Sequence, residues 1–199
     1  MIINAIWEQN SNPCFTNGTL ITMADGTYKA VEDIVAGDEV LVFNHYTGKY
    51  ETSIIMYNVH SEEVWSNQEI INLVFSDGTI TRIVKEHYFY DLNTNQYELI
   101  DNNSVDNFIS HYFYSNNMID SKIQLVDYYI TNEYVGVYGP MTAYHLNLFA
   151  NGLLSIAGDN DPFINIFEYD ETMKYDEQLM KEDINEYELF TYDDFKDYI

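Results

Sequence analysis

From Cys14 to about Asn160 the chain is a string of short apolar runs broken by turn residues. Leu20-Ile21-Thr22-Met23 runs into Asp25-Gly26 and resumes at Thr27-Tyr28. Val40-Leu41-Val42-Phe43 ends at a turn over 44–48. Ile71-Asn72-Leu73-Val74-Phe75 meets Asp77-Gly78, and the strand-prone stretch 79–84 follows. Runs of this length, rich in β-branched and aromatic residues and bounded by Gly, Asp and Asn, predict strands. Asp-Gly between two such runs predicts a hairpin whose two central residues both take positive φ. Gly136-Val137-Tyr138-Gly139-Pro140 makes a further break before 142–148. The spacing of these turns predicts an all-β domain rather than alternating βα units.

Two segments share a pattern. The stretches 18–27 and 71–79 both read strand, Asp-Gly-Thr, strand. The match fits one common hairpin type used twice, and it equally fits an internal duplication.

The flanks differ from this β-rich middle. Residues 1–13 are short and end in Asn12-Pro13, an extended lead-in because a residue before proline is pushed out of the helical region. Residues 161–199 hold 13 acids and 3 lysines, a charge of −10. Asp176 is placed to cap a helix over 177–187 that carries Met180, Ile184 and Tyr187 on one face. Thr191 with Asp194 resembles a capping box opening a second short helix with Phe195, Tyr198 and Ile199. The expected organisation is therefore a flanking segment over 1–13, a β domain over 14–160 and an acidic helical appendage over 161–199. That appendage packs on the β domain or presents a docking face; a charge run by itself is solvated surface.

Composition narrows the classes. The 199 residues are 46% hydrophobic and 16% aromatic, which excludes a largely disordered chain. Eight Lys+Arg against 33 Asp+Glu give a net charge of −25. So acidic a chain repels phosphate backbones and anionic membranes, and neither nucleic acid nor membrane is an expected partner. No apolar run is long enough to span a bilayer. The first residues lack a basic stretch followed by a long apolar one, so no signal peptide is expected; the chain is either cytoplasmic or a piece cut from a longer precursor.

One cysteine, Cys14, excludes an internal disulfide framework and a zinc site built of cysteines alone. A thiol at that place is either a small buried hydrophobe or a nucleophile. It would attack the carbonyl of Pro13, converting the peptide bond into a thioester by an N-to-S acyl shift. Such an attack needs a group to polarise the leaving amide nitrogen, a donor for the oxyanion and strain at the scissile bond. Histidine suits the first role, since its ordinary pKa lies near neutrality. There are five: His45, His60, His87, His111 and His145. None is spaced from another as H-x-x-x-H, so no metal site is expected, and no cofactor. Asp91-Leu92-Asn93-Thr94-Asn95 spaces oxygens like the start of an EF-hand, but lacks its glycine and closing glutamate; a polar hairpin turn accounts for it. A Cys–His hydrolase acting on other proteins would want its cysteine at a helix N-terminus, whereas Phe15-Thr16-Asn17-Gly18 reads as a turn into a strand.

The stretch Cys14-Phe15-Thr16-Asn17-Gly18-Thr19-Leu20-Ile21-Thr22-Met23-Ala24-Asp25-Gly26 resembles the opening block of the Hint domains of hedgehog proteins and inteins. The resemblance continues through Val31-Glu32-Asp33-Ile34 and Gly37-Asp38-Glu39-Val40-Leu41. Residues 79–87 followed by Tyr88-Phe89-Tyr90 are similar to the block in which T-x-x-H precedes an aromatic, and 143–154 are similar to the closing pair of strands. The order and spacing of these blocks carry the likeness over about 14–154. It implies a pseudo-two-fold, all-β horseshoe, which turns the shared hairpin pattern toward duplication. It also implies self-processing, with Cys14 as nucleophile and His87 as the histidine that activates the scissile Pro13–Cys14 amide. Such a reaction is single-turnover at most.

Three departures qualify that chemistry. The family's threonine, three residues before the histidine, is Val84 here, and losing one such polar contact costs roughly 3 kcal/mol. Thr81 and Thr79 are near, but an odd-even change of face separates them from that position. The closing His-Asn is missing: its place falls on Ile156-Ala157, or on Asp159-Asn160, where Asn160 alone remains as a weak junction candidate. Pro13 stiffens the backbone at the attacked carbonyl, and in inteins proline there generally slows the shift. Two functions follow as expectations. One is N-terminal self-cleavage through a Cys14 thioester, without full splicing. The alternative is a processing-inactive Hint fold serving as a structural or interaction module of a larger protein.

Overall fold

A computed structural model describes residues 14–59, 65–118 and 120–157. In chain order the strands are β1 Cys14–Thr16, β2 Leu20–Thr22, β3 Tyr28–Ala30, β4 Glu39–Asn44, β5 Lys49–Val59, β6 Ser66–Phe75 and β7 Ile80–Val84. They continue as β8 Glu86–Asp91, β9 Gln96–Asp101, β10 Tyr112–Tyr114, β11 Lys122–Val135, β12 Val137–Thr142, β13 Asn147–Ala150 and β14 Leu153–Ile156. Two 3-10 turns, Val31–Asp33 and Val105–Phe108, are the only helical pieces among the described residues. Pairing runs β3-β2-β13-β14-β8-β10-β11-β6-β7-β1-β12-β5-β4, with β9 added on β8. The all-β expectation holds. The two expected acidic helices, and Asn160 and Pro13 with them, lie outside the described residues.

Among the described residues the core has two large centres, with three smaller clusters beside them. Ile71, Leu73, Phe75, Ile83, Phe89 and Phe113 pack together beneath the β6–β7 hairpin. Phe15, Ile21, Val40, Val42, Ile55 and Leu148 form a second centre that takes in the β2–β3 hairpin. Each Asp-Gly-Thr hairpin thus feeds its own core.

The two turns match bond for bond. Met23 N–H donates to Thr27 O at 2.8 Å, and Phe75 N–H to Thr79 O at 2.9 Å. Gly26 N–H returns to Met23 O at 3.0 Å, and Gly78 N–H to Phe75 O at 2.9 Å. The Asp25 and Asp77 carboxylates take the backbone N–H groups of Thr27 and Thr79 at 2.9 and 2.7 Å, together with their hydroxyls. The sequence reading erred in one detail. Only the glycines take positive φ, +83° at Gly26 and +89° at Gly78; the aspartates do not. The loop is one residue longer than a two-residue turn, a tight turn closed by a left-handed glycine bulge. Aspartate serves there as a side-chain cap on the following threonine rather than as a left-handed residue.

The EF-hand-like stretch is the end of β8 and its hairpin turn. Asp91 is fully buried; its carboxylate takes the Asn93 N–H at 2.7 Å and faces His111 Nδ1 at 2.6 Å.

Candidate functional site

Strand β1 lies between β7 and β12. Its register sets Cys14 opposite Val84 and Phe15 opposite Ile83. Partners across an antiparallel pair share a face, and successive residues alternate. Cys14, Val84 and Ile70 therefore form one row, while Phe15, Ile83 and Ile71 form the next row on the opposite face. The Phe15 row is core. The Cys14 row belongs to a smaller cluster of Ile70, Val84 and Val135 with Val137 against it. Cys14 itself is half-buried.

The register also decides the fate of the missing threonine. Val84 is the residue directly across from Cys14, and it offers a methyl where the Hint pattern has a hydroxyl. Thr81 does not replace it. It lies opposite Leu73, and its odd position puts it on the Phe15 face, where its buried hydroxyl has no hydrogen-bond partner. Thr79 spends its hydroxyl on Asp77 at 2.8 Å.

Between β7 and β8 the chain turns through Lys85, an exposed residue with φ of +58°. Its N–H donates to Glu69 O at 3.3 Å. Two residues later His87 is buried, opposite Ile100 in the β8–β9 pair. The imidazole packs on the Phe15 ring with centroids 4.2 Å apart, and on Phe89 at 5.2 Å. It thus meets the residue just after the cysteine, on the core face, while the Cys14 side chain sits on the other. The ring contact is with the Phe15 side chain, on the face of β1 that alternation sets opposite to Cys14.

Burial pushes the His87 pKa down to about 3, because a cation has no solvation there; the Ile156 backbone offsets a little of this. Among the described residues neither ring nitrogen has a hydrogen-bond partner of good geometry, and the Ile156 backbone makes only a weak polar contact. The ring is therefore neutral near pH 7, with its N–H and lone pair incompletely satisfied.

The C-terminal strands close the site. β14 runs beside β8 with Ser155 opposite Phe89, and the Ser155 hydroxyl donates to Tyr88 O at 2.9 Å. This places Ile156 against His87. Ala157, fully buried, donates its N–H to Leu146 O at 3.1 Å and belongs to the same core centre as Phe15. Ile156-Ala157 is one of the two places expected for the closing His-Asn; the other, Asp159-Asn160, lies outside the described residues.

The remaining described histidines are engaged. His45 Nε2 bonds the Tyr97 hydroxyl at 2.9 Å, and burial, with a smaller push from His145, lowers its pKa to about 4. His145 Nε2 faces Glu51 at 2.8 Å. His111 is paired with Asp91, as above. His60 lies outside the described residues. No group of three or more His, Cys, Asp or Glu able to hold a metal occurs among the described residues. An open cavity of about 380 Å³ lies at the β2–β3 turn and the loop before β4, lined by Tyr28, Lys29 and Asp38 among others; neither Cys14 nor His87 lines it.

Sequence reasoning selected Cys14 and His87 and missed Phe15, Lys85 and the Ile156 contact. Phe15 had a usable signal, since alternation from Cys14 sends it to the core. The Ile156 contact had none, because it joins residues nearly seventy positions apart.

No family model and no curated protein matches the chain. Solved structures do. A bacterial intein-like domain from Clostridium thermocellum is 18% identical, covers 72% of this chain and 97% of its own, and superposes with a TM-score of 0.59. A DnaB intein from Synechocystis sp. PCC 6803 is 16% identical over 73% of this chain and 99% of its own, with a TM-score of 0.55. The PabCDC21-1 intein is 13% identical over 73% and 98%, with a TM-score of 0.56. The chain has the Hint-type, intein-like fold.

Proposed function

We propose that this Hint-type domain cleaves its own N-terminal flank. The Cys14 sulfur attacks the Pro13 carbonyl carbon, the C–N bond breaks, and a thioester joins Pro13 to Cys14. The thiol proton leaves from the half-buried side and the departing nitrogen gains one, so the shift is an isomerisation that needs no other reagent. His87 serves the nitrogen rather than the sulfur. Its neutral ring, packed on the neighbouring Phe15, presents a hydrogen bond to the twisting amide, and relays a proton as the nitrogen becomes basic. Water or an external thiol then resolves the thioester and frees the flank.

The observation that supports this reading is the buried imidazole packed on Phe15, with no hydrogen-bond partner of good geometry among the described residues and only the Ile156 backbone as a weak polar neighbour. A buried polar group without a partner costs about 1–3 kcal/mol, a cost that active sites tolerate and cores avoid. Full splicing is not part of the proposal, because Ile156-Ala157 offers neither an imidazole nor a side-chain amide, and Asp159-Asn160 keeps the amide without the imidazole. The second reading, a processing-inactive module, draws on Val84 opposite Cys14.

Incubation of the chain, with its own residues 1–13, in dithiothreitol decides between them by intact mass. A thiol-dependent cut between Pro13 and Cys14, absent in Cys14→Ala, supports cleavage. An intact chain under all conditions supports the inert module.

A further inference from the structure

The left-handed residue between β7 and β8 is the point where the two halves of the site are joined. Val84 ends β7 opposite Cys14, and His87 lies three residues on, against the opposite face of β1. Continued alternation would keep both in one sheet, with β7 running straight on. Instead Lys85 takes φ of +58°, β8 starts at Glu86, and β8 pairs with β9, β10 and β14. One residue redirects the chain from the sheet of the nucleophile to the sheet of the histidine.

We propose that Lys85 is a positioning residue, and that its left-handed backbone, not its ammonium group, sets the place of the His87 ring. The inference rests on the cleavage reading above for its consequence in rate, and on the coordinates alone for its consequence in ring placement. A lysine held at positive φ carries steric strain from its Cβ, of order 1–3 kcal/mol, which glycine would not carry. The side chain is exposed, so it contributes nothing to the core in return. At Lys85 itself the turn is tied by a backbone bond, Lys85 N–H to Glu69 O. Strain retained at a residue with a replaceable side chain, between the cysteine's neighbour and the histidine, marks a constraint on geometry.

Three variants separate backbone from charge. Lys85→Gly accepts positive φ and removes the ammonium. Lys85→Met removes the ammonium and keeps an unbranched side chain. Lys85→Val is β-branched and resists the left-handed region. Two readouts are taken on each full chain: thiol-induced cleavage by intact mass, and NMR titration of the His87 ring. Lys85→Gly and Lys85→Met are expected to cleave like the parent and to keep His87 titrating at about 3. Lys85→Val, still folded by circular dichroism, is expected to cleave on the order of a hundredfold more slowly, the loss a misplacement near 1 Å produces. Its His87 should titrate closer to the ordinary value. Should Lys85→Val fail to fold, Lys85→Thr, β-branched but polar, asks the same question against Lys85→Gly, with the threonine variant the slower. Loss of cleavage in Lys85→Met, or an unchanged His87 titration in both Lys85→Val and Lys85→Thr, overturns the assignment. If the parent chain itself does not cleave, the cleavage reading fails, and the titration alone still decides the role of Lys85.

Discussion

Two histidine environments in this fold are built to opposite ends. Around His45 and His145 every ring finds a partner: Tyr97 for one, Glu51 for the other. Asn147 braces that region, taking the Phe43 N–H at 2.8 Å and donating to Phe43 O and His145 O. Around His87 the neighbours are Phe15, Phe89 and the Ile156 backbone, and neither nitrogen has a partner of good geometry among the described residues. Burial lowers the His45 pKa to about 4 and the His87 pKa to about 3. The first uses its histidines to hold strands together. The second holds a histidine in place without using it. Burial of an incompletely satisfied ring is unfavourable to folding, and under the cleavage proposal that cost is where the chemistry sits.

The contrast breaks most sharply at Phe15. Phe15→Ala removes the ring that shields His87 and should cost about 3–5 kcal/mol in urea unfolding. It should also raise the His87 pKa, followed by NMR, while leaving His45 as it was. If both histidines shift alike, the two environments are not separate.

Acid comes next. A folded-state pKa of about 3 against an ordinary 6.5 means that the unfolded chain binds a proton that the folded chain refuses. The stability due to His87 is complete above about pH 6.5 and declines as the pH falls toward 3, by about 3 kcal/mol at pH 4. His87→Leu should flatten this part of the profile. His45→Leu should flatten a smaller part, because the His45 shift is smaller, and it leaves Tyr97 without its bond. A His87→Leu profile as steep as that of the parent chain would place the acid sensitivity elsewhere.

Val84→Thr sharpens the comparison from the cysteine side. It puts a hydroxyl on the Cys14 face at the position the register sets directly opposite. Thiol-induced cleavage should rise by about tenfold or more, at most the value of one oxyanion-type donor. No change would show that a hydroxyl on this face does not reach the reacting carbonyl. Smallest is Tyr97→Phe, expected to cost about 1 kcal/mol by freeing His45 of its hydrogen bond. Cleavage should be untouched, since Tyr97 has no part in the Cys14 site.

Much of this was legible from residue order. The twin Asp-Gly-Thr turns are local, so their residues alone place them. Even so, the bulge went unseen, because a two-residue and a three-residue loop both end in Asp-Gly and differ only in which residues carry positive φ. Cys14 and His87 were legible through chemistry and block spacing. What lies between them was not. Lys85 is no glycine, so nothing in its type announces a left-handed turn. The side of β1 that each group occupies follows from strand pairing, which is long-range. The displacement of Thr81 to the Phe15 face was foreshadowed by its odd spacing from Val84, and register then made it definite.

The most direct test of the central claim is hydroxylamine trapping of the full chain at neutral pH, read by mass spectrometry of the released fragment. A thioester at Cys14 predicts a fragment of residues 1–13 carrying a hydroxamate on Pro13, lost in Cys14→Ala and strongly reduced in His87→Ala. No such fragment from the parent chain, or an equal yield from His87→Ala, would contradict it.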